Sequence, residues 1–179
     1  MTDTPPDDAV RWLRPDELRA WMKLVAVIEL LPAALDSQLQ RDSELTHFDY
    51  MVLAMLSDAA GRRMRMTALA AATNSSLPRL SHVATRLERR GLIVRSQCSS
   101  DRRATEVQLS DEGFDLLVAA APGHVAAARE YVIDALSAEQ VAQLDAIARA
   151  MLQRLDPDCR LAALSNPQGA ATEASGASR

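Results

Sequence analysis

The residues best suited to chemistry in this chain are basic side chains that recur on one face of a single predicted helix. At about 100° per residue, Arg79, His82 and Arg86 fall on the same side of the segment that follows Ser76. The opposite side is apolar and carries Leu80, Val83, Ala84 and Leu87. Guanidinium groups bind guanine edges and phosphates, so the polar side suits the major groove of a DNA duplex. An ordinary solvated helix face is the alternative.

The distribution of charge favours the nucleic-acid interpretation. The whole chain has a formal net charge of −4. Residues 61–105 nevertheless contain ten arginines and only two acidic residues, which gives this segment a net charge of +8. A strongly basic segment inside an acidic protein is the electrostatic footprint of a site for a polyanion.

Two helices joined by a turn are predicted to present this basic face. Thr67 is the expected N-cap of a short first helix, and Ser75 lies in the turn. Ser76 is the expected N-cap of the second helix, where Pro78 fits the first turn because a missing N–H costs nothing there. Gly91 is the expected stop of that helix. The sequence therefore predicts a helix-turn-helix.

A β-hairpin is predicted after the second helix. Residues 92–96 and 106–109 alternate between apolar and polar side chains, and the polar stretch between them forms the hairpin tip. Arg102 and Arg103 lie in this tip. Asp101 stands two residues before Arg103, so its carboxylate can hold that guanidinium in a fixed pose. An exposed ion pair of little consequence is the alternative. Residues 64–66 alternate in the same way and predict a short third strand.

The stretches LAAATNSSLPRLSHVATRLERRGLIVR and SDRRATEVQLSDEG resemble the MarR family of winged helix-turn-helix transcription regulators. The most specific part is the hairpin, or wing, in which Asp101-Arg102-Arg103 is followed by a strand and by the Leu-Ser-x-x-Gly helix start at residues 109–113. The resemblance covers roughly residues 16–155. It implies a homodimer that binds double-stranded DNA at a palindromic operator and represses transcription.

The resemblance and the two helix faces together predict which residues contact DNA. The recognition helix over residues 76–90 enters the major groove, and the wing arginines reach the adjacent minor groove or phosphates. The predicted contacts are Ser75, Ser76, Pro78, Arg79, His82, Arg86, Arg95, Asp101, Arg102 and Arg103.

The expected fold class is mainly α with a small β-hairpin wing. The predicted regions are a winged helix-turn-helix domain over 45–109, a helical dimerisation bundle from residues 16–44 and 110–156, a flexible N-terminal arm over 1–15 and a disordered tail over 157–179. An apolar content of 48% with only 3% aromatic residues suits helices. Three long apolar helices cannot bury their stripes on one small winged domain, so a second copy of the chain is the expected partner.

Local signals predict where the remaining helices begin and end. The first helix is expected over about 16–41 with a kink at Pro32. The second starts with a capping box of Thr46 and Asp49, ends near residue 59 and buries Met51, Val52, Met55 and Leu56. The fifth covers about 111–135, with a bend or break at Pro122. The last begins at a capping box over residues 137–140 and ends at residue 156.

The resemblance also implies that a small aromatic or phenolic molecule binds between the dimer bundle and the winged domain and weakens DNA binding. The apolar residues that could line such a cleft are Trp21, Val25, Tyr50 and Met51. Each of them is equally suited to a core position.

Other kinds of site find little support. His47, His82 and His124 lie far apart along the chain, and neither a glycine-rich phosphate loop nor a serine-nucleophile motif occurs, so no metal, cofactor or enzymatic activity is predicted. Cys98 and Cys159 form no disulfide framework. No membrane span or signal peptide is expected, and the cytoplasm is the expected location.

Two alternatives stay open. Cys98 precedes the arginine-rich hairpin tip, which can lower a thiol pKa, so a redox-responsive regulator is one of them. Peroxide-sensing members of the family use a cysteine in the first helix, which this chain lacks. A winged-helix module that binds proteins and no DNA is the other, and the +8 segment argues against it.

Overall fold

A computed structural model describes residues 10–98, 101–158 and 161 of the chain. The helices are α1 (Pro15–Ser43), α2 (His47–Asp58), α3 (Met66–Ala72), α4 (Leu77–Arg89), α5 (Asp111–Ala128) and α6 (Ala138–Leu155). The strands are β1 (Arg63–Arg65), β2 (Ile93–Cys98) and β3 (Asp101–Leu109). The predicted class, mainly α with a small β wing, is confirmed. None of the described helices is long and apolar enough to span a bilayer.

The contacts within the chain divide it into two units, Met1–Ala34 and Leu35–Arg179. The division falls inside α1. The predicted regions, with a winged domain over 45–109, stay a prediction. In the first unit, large apolar side chains of α1 are exposed. They are Leu18, Trp21, Met22, Val27, Ile28 and Leu30.

The three strands form one antiparallel sheet in the order β1-β3-β2. The predicted short strand is present one residue earlier than expected, and Met64 lies opposite Val107. The predicted hairpin tip was too long. Because pairing continues until Cys98 lies opposite Asp101, residues 101–103 belong to β3. Ile93 is buried whereas Val94 is 55% exposed, so the first side chains of β2 alternate between the core and solvent. A register shift between Gln97 and Cys98 ends the alternation, and Cys98 is buried again.

The core of the second unit lies between α2, α3, α4, the sheet and α5. Its fully buried large side chains include Leu39, Leu45, Val52, Leu53, Leu56, Leu69, Leu80, Leu87, Ile93 and Val107. Burial of each such side chain contributes about 1.5–3 kcal/mol relative to exposure. The predicted burial of Met51 was wrong, since this residue is only half-buried; Leu53 and Asp49 are buried on α2 instead.

Side-chain caps mark most helix starts. The predicted box at α2 is present, with Thr46 Oγ1 accepting the Asp49 N–H and an Asp49 oxygen accepting the Thr46 N–H, both at 3.0 Å. Ser137 and Gln140 form the second predicted box. The predicted cap of α3 was wrong. That helix starts at Met66, directly after β1, so Thr67 is already inside its first turn.

Of the predicted bend or break at Pro122, a break does not occur. The helix continues through it to Ala128, and a π-helical segment, Arg129–Ile133, follows. The proline removes the N–H that would bond the carbonyl of Val118. Val118 is 54% exposed, so water can satisfy that carbonyl and the helix tolerates the loss. Likewise α1 runs through Pro32 as one helix.

Candidate nucleic-acid interface

The two predicted faces of α4 are confirmed. Ser76 occupies the N-cap and its hydroxyl accepts the Arg79 N–H at 3.4 Å, while Pro78 lies in the first turn. The buried side chains of the helix are Leu80, Val83, Ala84 and Leu87. Its exposed side chains include Leu77, Pro78, Arg79, His82, Thr85, Arg86 and Arg89. Gly91, with φ of +74°, follows the helix as predicted.

The turn before α4 is tied to α3. The Ser75 N–H donates to the carbonyl of Ala70 at 2.9 Å, and its hydroxyl lies 3.3 Å from that of Thr73. Asn74 between them has φ of +47°, a left-handed conformation that asparagine tolerates well. The start of α4 is therefore held in one place, with Ser76 exposed beside a half-buried Ser75.

Arg86 is paired inside the domain, a contact that sequence reasoning missed. Its Nη2 donates to Asp49 Oδ1 at 2.6 Å. Asp49 is 1% exposed, whereas the Arg86 side chain is 44% exposed. The second oxygen of Asp49 accepts the Thr46 N–H. One buried carboxylate thus caps α2 and also anchors an arginine from the outward face of α4.

Among the residues that the structure describes, Arg79 contacts an aromatic ring and forms no ion pair. Its guanidinium carbon lies 4.4 Å from the ring centroid of Phe48. A guanidinium over a ring face is attracted by the ring quadrupole and keeps its charge. The exposed Arg79 therefore presents its full positive charge near the start of α4.

Arg95 links the wing to α4. Its Nη2 and Nε donate to Glu88 Oε2 at 2.5 and 2.9 Å, and its backbone N–H donates to Glu88 Oε1 at 3.1 Å. The hydrogen bond from the Arg95 side chain is the main cause that lowers the pKa of Glu88. The structure thus gives the predicted DNA contact Arg95 an internal partner, and Glu88, which the sequence did not single out, connects β2 to the end of α4.

Two further arginines of the basic segment pack against other elements. Arg90 Nη1 donates to the carbonyl of Glu44 at 2.7 Å. The Arg62 guanidinium lies 3.6 Å from the ring centroid of Phe114, and its Nη1 is 3.6 Å from an Asp111 oxygen. These contacts tie α4 and the turn before β1 to their neighbours, so part of the charge counted in the sequence is used within the fold.

Near the tip of the wing, only the backbone of residues 101–103 is described. Residues 99–100 and the side chains of Asp101, Arg102 and Arg103 lie outside the described part of the chain, so their DNA contacts stay a prediction. Cys98 at the end of β2 is 7% exposed, and Arg65 Nη2 lies 4.0 Å from its sulfur. A buried thiol is poorly accessible to oxidants.

Histidines that are far apart along the chain meet in the fold. The ring centroids of His47 and His124 are 5.7 Å apart, and Tyr50 lies 4.3 Å from His124. Burial lowers the pKa of His47, which the charge of Asp36 opposes. Burial and then the neighbouring His47 lower the pKa of His124. Among the described residues, no three or more histidine, cysteine or acidic side chains are grouped as a metal site.

The predicted effector residues fall in both units of the chain. Trp21, which is 52% exposed, and the half-buried Val25 belong to the first unit, whereas Tyr50 and Met51 belong to the second. Burial raises the pKa of Tyr50, so its phenol stays neutral. Effector binding by these residues stays a prediction.

Comparison with known proteins places the chain among transcription regulators. A model of the MarR family matches residues 45–105. The chain is similar to the crystal structure of Sco3205 from Streptomyces coelicolor, a MarR family transcriptional regulator in complex with DNA. That match has 40% identity and a TM-score of 0.80, and covers 84% of this chain and 94% of the other.

Two other relatives are similar over large parts of the chain. AbsC, a MarR family transcriptional regulator from Streptomyces coelicolor, is 40% identical with a TM-score of 0.76, over 82% of this chain and 98% of the other. The transcriptional repressor MprA of Escherichia coli K12 is 31% identical over 107 residues. That alignment spans 60% of this chain and 60% of MprA.

Proposed function

Because the chain belongs to the MarR family of transcriptional regulators, we propose that it binds double-stranded DNA at specific sequences and represses transcription. One observation carries this proposal: α4 presents a basic, exposed face from within a winged helix-turn-helix. Sco3205, with the same architecture, was crystallised in complex with DNA. MprA is a repressor, which supports repression as the outcome.

The first turn of α4 is the part of the recognition helix that reads bases. N-terminal residues of a recognition helix contact base edges, and later turns meet the phosphates. Ser76, Pro78 and Arg79 are exposed in that first turn. Arg86 lies two turns later, and Arg102 and Arg103 of the wing provide additional charge for the minor groove or phosphates.

A homodimer is part of the proposal. Helix α6 buries none of its residues within one chain. Its exposed apolar side chains include Leu144, Ile147, Leu152 and Leu155. Such a stripe needs a partner, and a two-fold copy of the chain supplies one. A two-fold dimer presents two recognition helices, so the operator is palindromic.

The proposal places the protein in the cytoplasm, where a transcription regulator meets its DNA. It includes release of DNA by a small aromatic or phenolic effector, with Trp21, Val25, Tyr50 and Met51 as the residues to test. Redox control through Cys98 is the weaker alternative, because the thiol is buried. A protein-interaction module without DNA binding is the other.

Selection of bound sequences from random duplex DNA tests the proposal. We expect a two-fold symmetric consensus with half-sites about one helical turn apart. A parallel selection with the variant Arg79→Ala controls for sequence preference that does not depend on this arginine. Failure of the wild-type protein to enrich any sequence would support the protein-interaction module.

A further inference from the structure

Two residues in the first turn of α2 contact two arginines of α4, each on the side of the arginine that is nearer the core. Phe48 places its ring under Arg79, and Asp49 binds Arg86. The two arginines are seven residues apart, which puts them on one face of α4, two turns from each other. Building on the proposed function, we propose that Phe48 and Asp49 are positioning residues that hold these arginines in the pose that reads DNA.

The burial of Asp49 strengthens its ion pair with Arg86. A buried carboxylate requires a charged or hydrogen-bonding partner for each oxygen, and separating it from Arg86 would leave a buried charge uncompensated. The capping box with Thr46 fixes the carboxylate itself. Arg86 is nevertheless 44% exposed, and a guanidinium has five N–H donors. The arginine can keep its bond to Asp49 while its outer N–H groups face a phosphate.

Phe48 fixes Arg79 without neutralising it. The ring is half-buried against the core, so its orientation is set by packing. The guanidinium above it is attracted to the ring face but forms no ion pair there. A base-reading arginine benefits from this arrangement, because its outer edge remains available for a bidentate contact to guanine.

Immobilisation before binding has a predictable effect on affinity. A side chain that is ordered only on binding loses rotamer entropy in the complex, and prior ordering avoids about a twofold to tenfold loss of affinity per side chain. Phe48 acts on the arginine nearest the base edges, so its removal should reduce discrimination. Asp49 acts on the arginine placed at the phosphates, so its removal should reduce affinity for operator DNA.

The variants Phe48→Leu and Asp49→Asn test the proposal in the full-length protein, with fluorescence anisotropy against the selected operator and a scrambled duplex. We expect Phe48→Leu to lower the ratio of the two affinities about twofold to tenfold, and to have no further effect once Arg79→Ala is present. Asp49→Asn removes a negative charge, which alone would tighten binding. We expect the operator affinity of Asp49→Asn to fall instead. In an Arg86→Ala background, Asp49→Asn should cause no further fall.

Matched controls come from the Arg62 site. Phe114→Leu removes a ring from beneath Arg62, and Asp111→Asn removes an acid beside the same guanidinium. In the described part of the chain neither residue contacts an α4 arginine, so Phe114→Leu should keep the wild-type ratio and affinity. Asp111→Asn should show only the slight tightening that loss of an acid causes, and no fall in affinity. If Asp49→Asn does not fold, as judged by its thermal unfolding, Arg86→Lys replaces it. Lysine keeps the charge and loses the planar fork, so the same fall in affinity is expected.

Two results would overturn the proposal. For Asp49, the first is tighter operator binding by Asp49→Asn, wild-type affinity of Arg86→Lys, or a loss that adds fully to that of Arg86→Ala. For Phe48, the second is an unchanged ratio for Phe48→Leu or a loss that adds fully to that of Arg79→Ala. If the wild-type protein selects an operator and the variants give one of these results, only the positioning role is refuted. A wild-type protein that selects no sequence refutes the proposed function itself.

Discussion

Single arginines in the basic segment differ in how much of their charge a ligand can use. Arg86 and Arg95 are paired with Asp49 and Glu88, whereas Arg79 rests on a neutral ring. The side chain of Glu88 is 37% exposed and that of Asp49 only 2%, so separating Arg95 from its acid leaves a carboxylate that water can reach, whereas separating Arg86 leaves a buried one; a phosphate can therefore compete more easily for Arg95. Counting arginines in the sequence therefore overestimates the charge that faces DNA.

Replacing Arg79 and Arg86 should give different defects. Arg79→Ala should cost about 1–3 kcal/mol of operator binding and relax the preference at one base pair. Arg86→Ala should weaken all sequences alike and reduce the salt slope by about one. It should also lower the free energy of unfolding, because the buried Asp49 loses its partner. Anisotropy titrations on operator variants at several salt concentrations measure both effects. Equal, sequence-independent losses for the two variants would show that base reading lies elsewhere.

The prediction for the wing arginines rests on the sequence alone. Arg103→Ala should reduce DNA binding and leave the dimer intact, since a positive charge near the duplex is lost. Asp101→Asn should also reduce binding if the carboxylate orients Arg103, although removal of an acid favours binding by charge. Titration of both variants against the operator decides between these effects. Tighter binding by the asparagine variant would rule out the orienting role.

At the scale of elements, the first turn of α5 packs closely against the backbone just before β2. A Cβ on Gly113 would lie 2.1 Å from the carbonyl oxygen of Leu92. The Ser110 hydroxyl accepts the Gly113 N–H at 3.0 Å and donates to the Gly91 carbonyl at 2.7 Å. The first turn of α5 is thus joined to the backbone between α4 and β2, which fixes the wing relative to the recognition helix.

Two glycines of α5 should respond differently to alanine. Gly113→Ala should destabilise the protein by about 1–3 kcal/mol, because backbone must move to admit the new methyl group. Gly123→Ala should change the free energy of unfolding by less than about 1 kcal/mol, because the helix preference of alanine is offset by displacement of the buried Gln38 amide, whose nitrogen would lie 3.0 Å away and is bonded to Asp42. Urea unfolding measures both. Equal changes would contradict the close approach of α5 to Leu92.

The contact between α2 and α5 should make stability depend on pH. The folded-state pKa values of His47 and His124 lie below the usual 6.5, mainly because of burial. The unfolded chain therefore binds more protons below that pH, so stability is complete above pH 6.5 and decreases as the pH falls toward the folded-state values. Urea unfolding at about pH 7.5 and about pH 5.5 should show the decrease.

The control for this pH effect is the double variant His47→Gln, His124→Gln. Glutamine does not titrate in this range, so the loss of stability between the two pH values should shrink. An unchanged loss in the double variant would assign the dependence to other groups.

The whole molecule leaves apolar surface uncovered at both chain ends. Apolar side chains of α1 in the first unit and of α6 in the second are exposed in one chain. Deletion of residues 1–40 or 137–179 should therefore yield monomeric or aggregated protein, whereas deletion of 160–179 should leave the dimer intact. Analytical ultracentrifugation of the three truncations is the measurement. A soluble dimer without the first helix would contradict dimerisation through these helices.

Local patterns predicted most of the fold, and contacts between distant residues set the rest. The capping boxes of α2 and α6 and the two faces of α4 depend on residues three or four positions apart, and all were predicted correctly. Asp49 was recognised only as a cap, because no periodicity links it to Arg86, 37 residues later. The meeting of His47 with His124 was missed for the same reason. The hairpin tip was misjudged because polar residues can still pair as strands at a solvent-exposed edge.

The strand order of the wing has a consequence for how the protein folds during synthesis. The central strand β3 is the last of the three to leave the ribosome, and β1 pairs only with it. Both helices of the helix-turn-helix are therefore synthesised before the three strands can pair. Loop-closure entropy slows such non-local pairing. Until β3 emerges, Met64 and Ile93 lack their strand partners Val107 and Leu109, and exposed apolar residues of this kind make incomplete chains prone to aggregation.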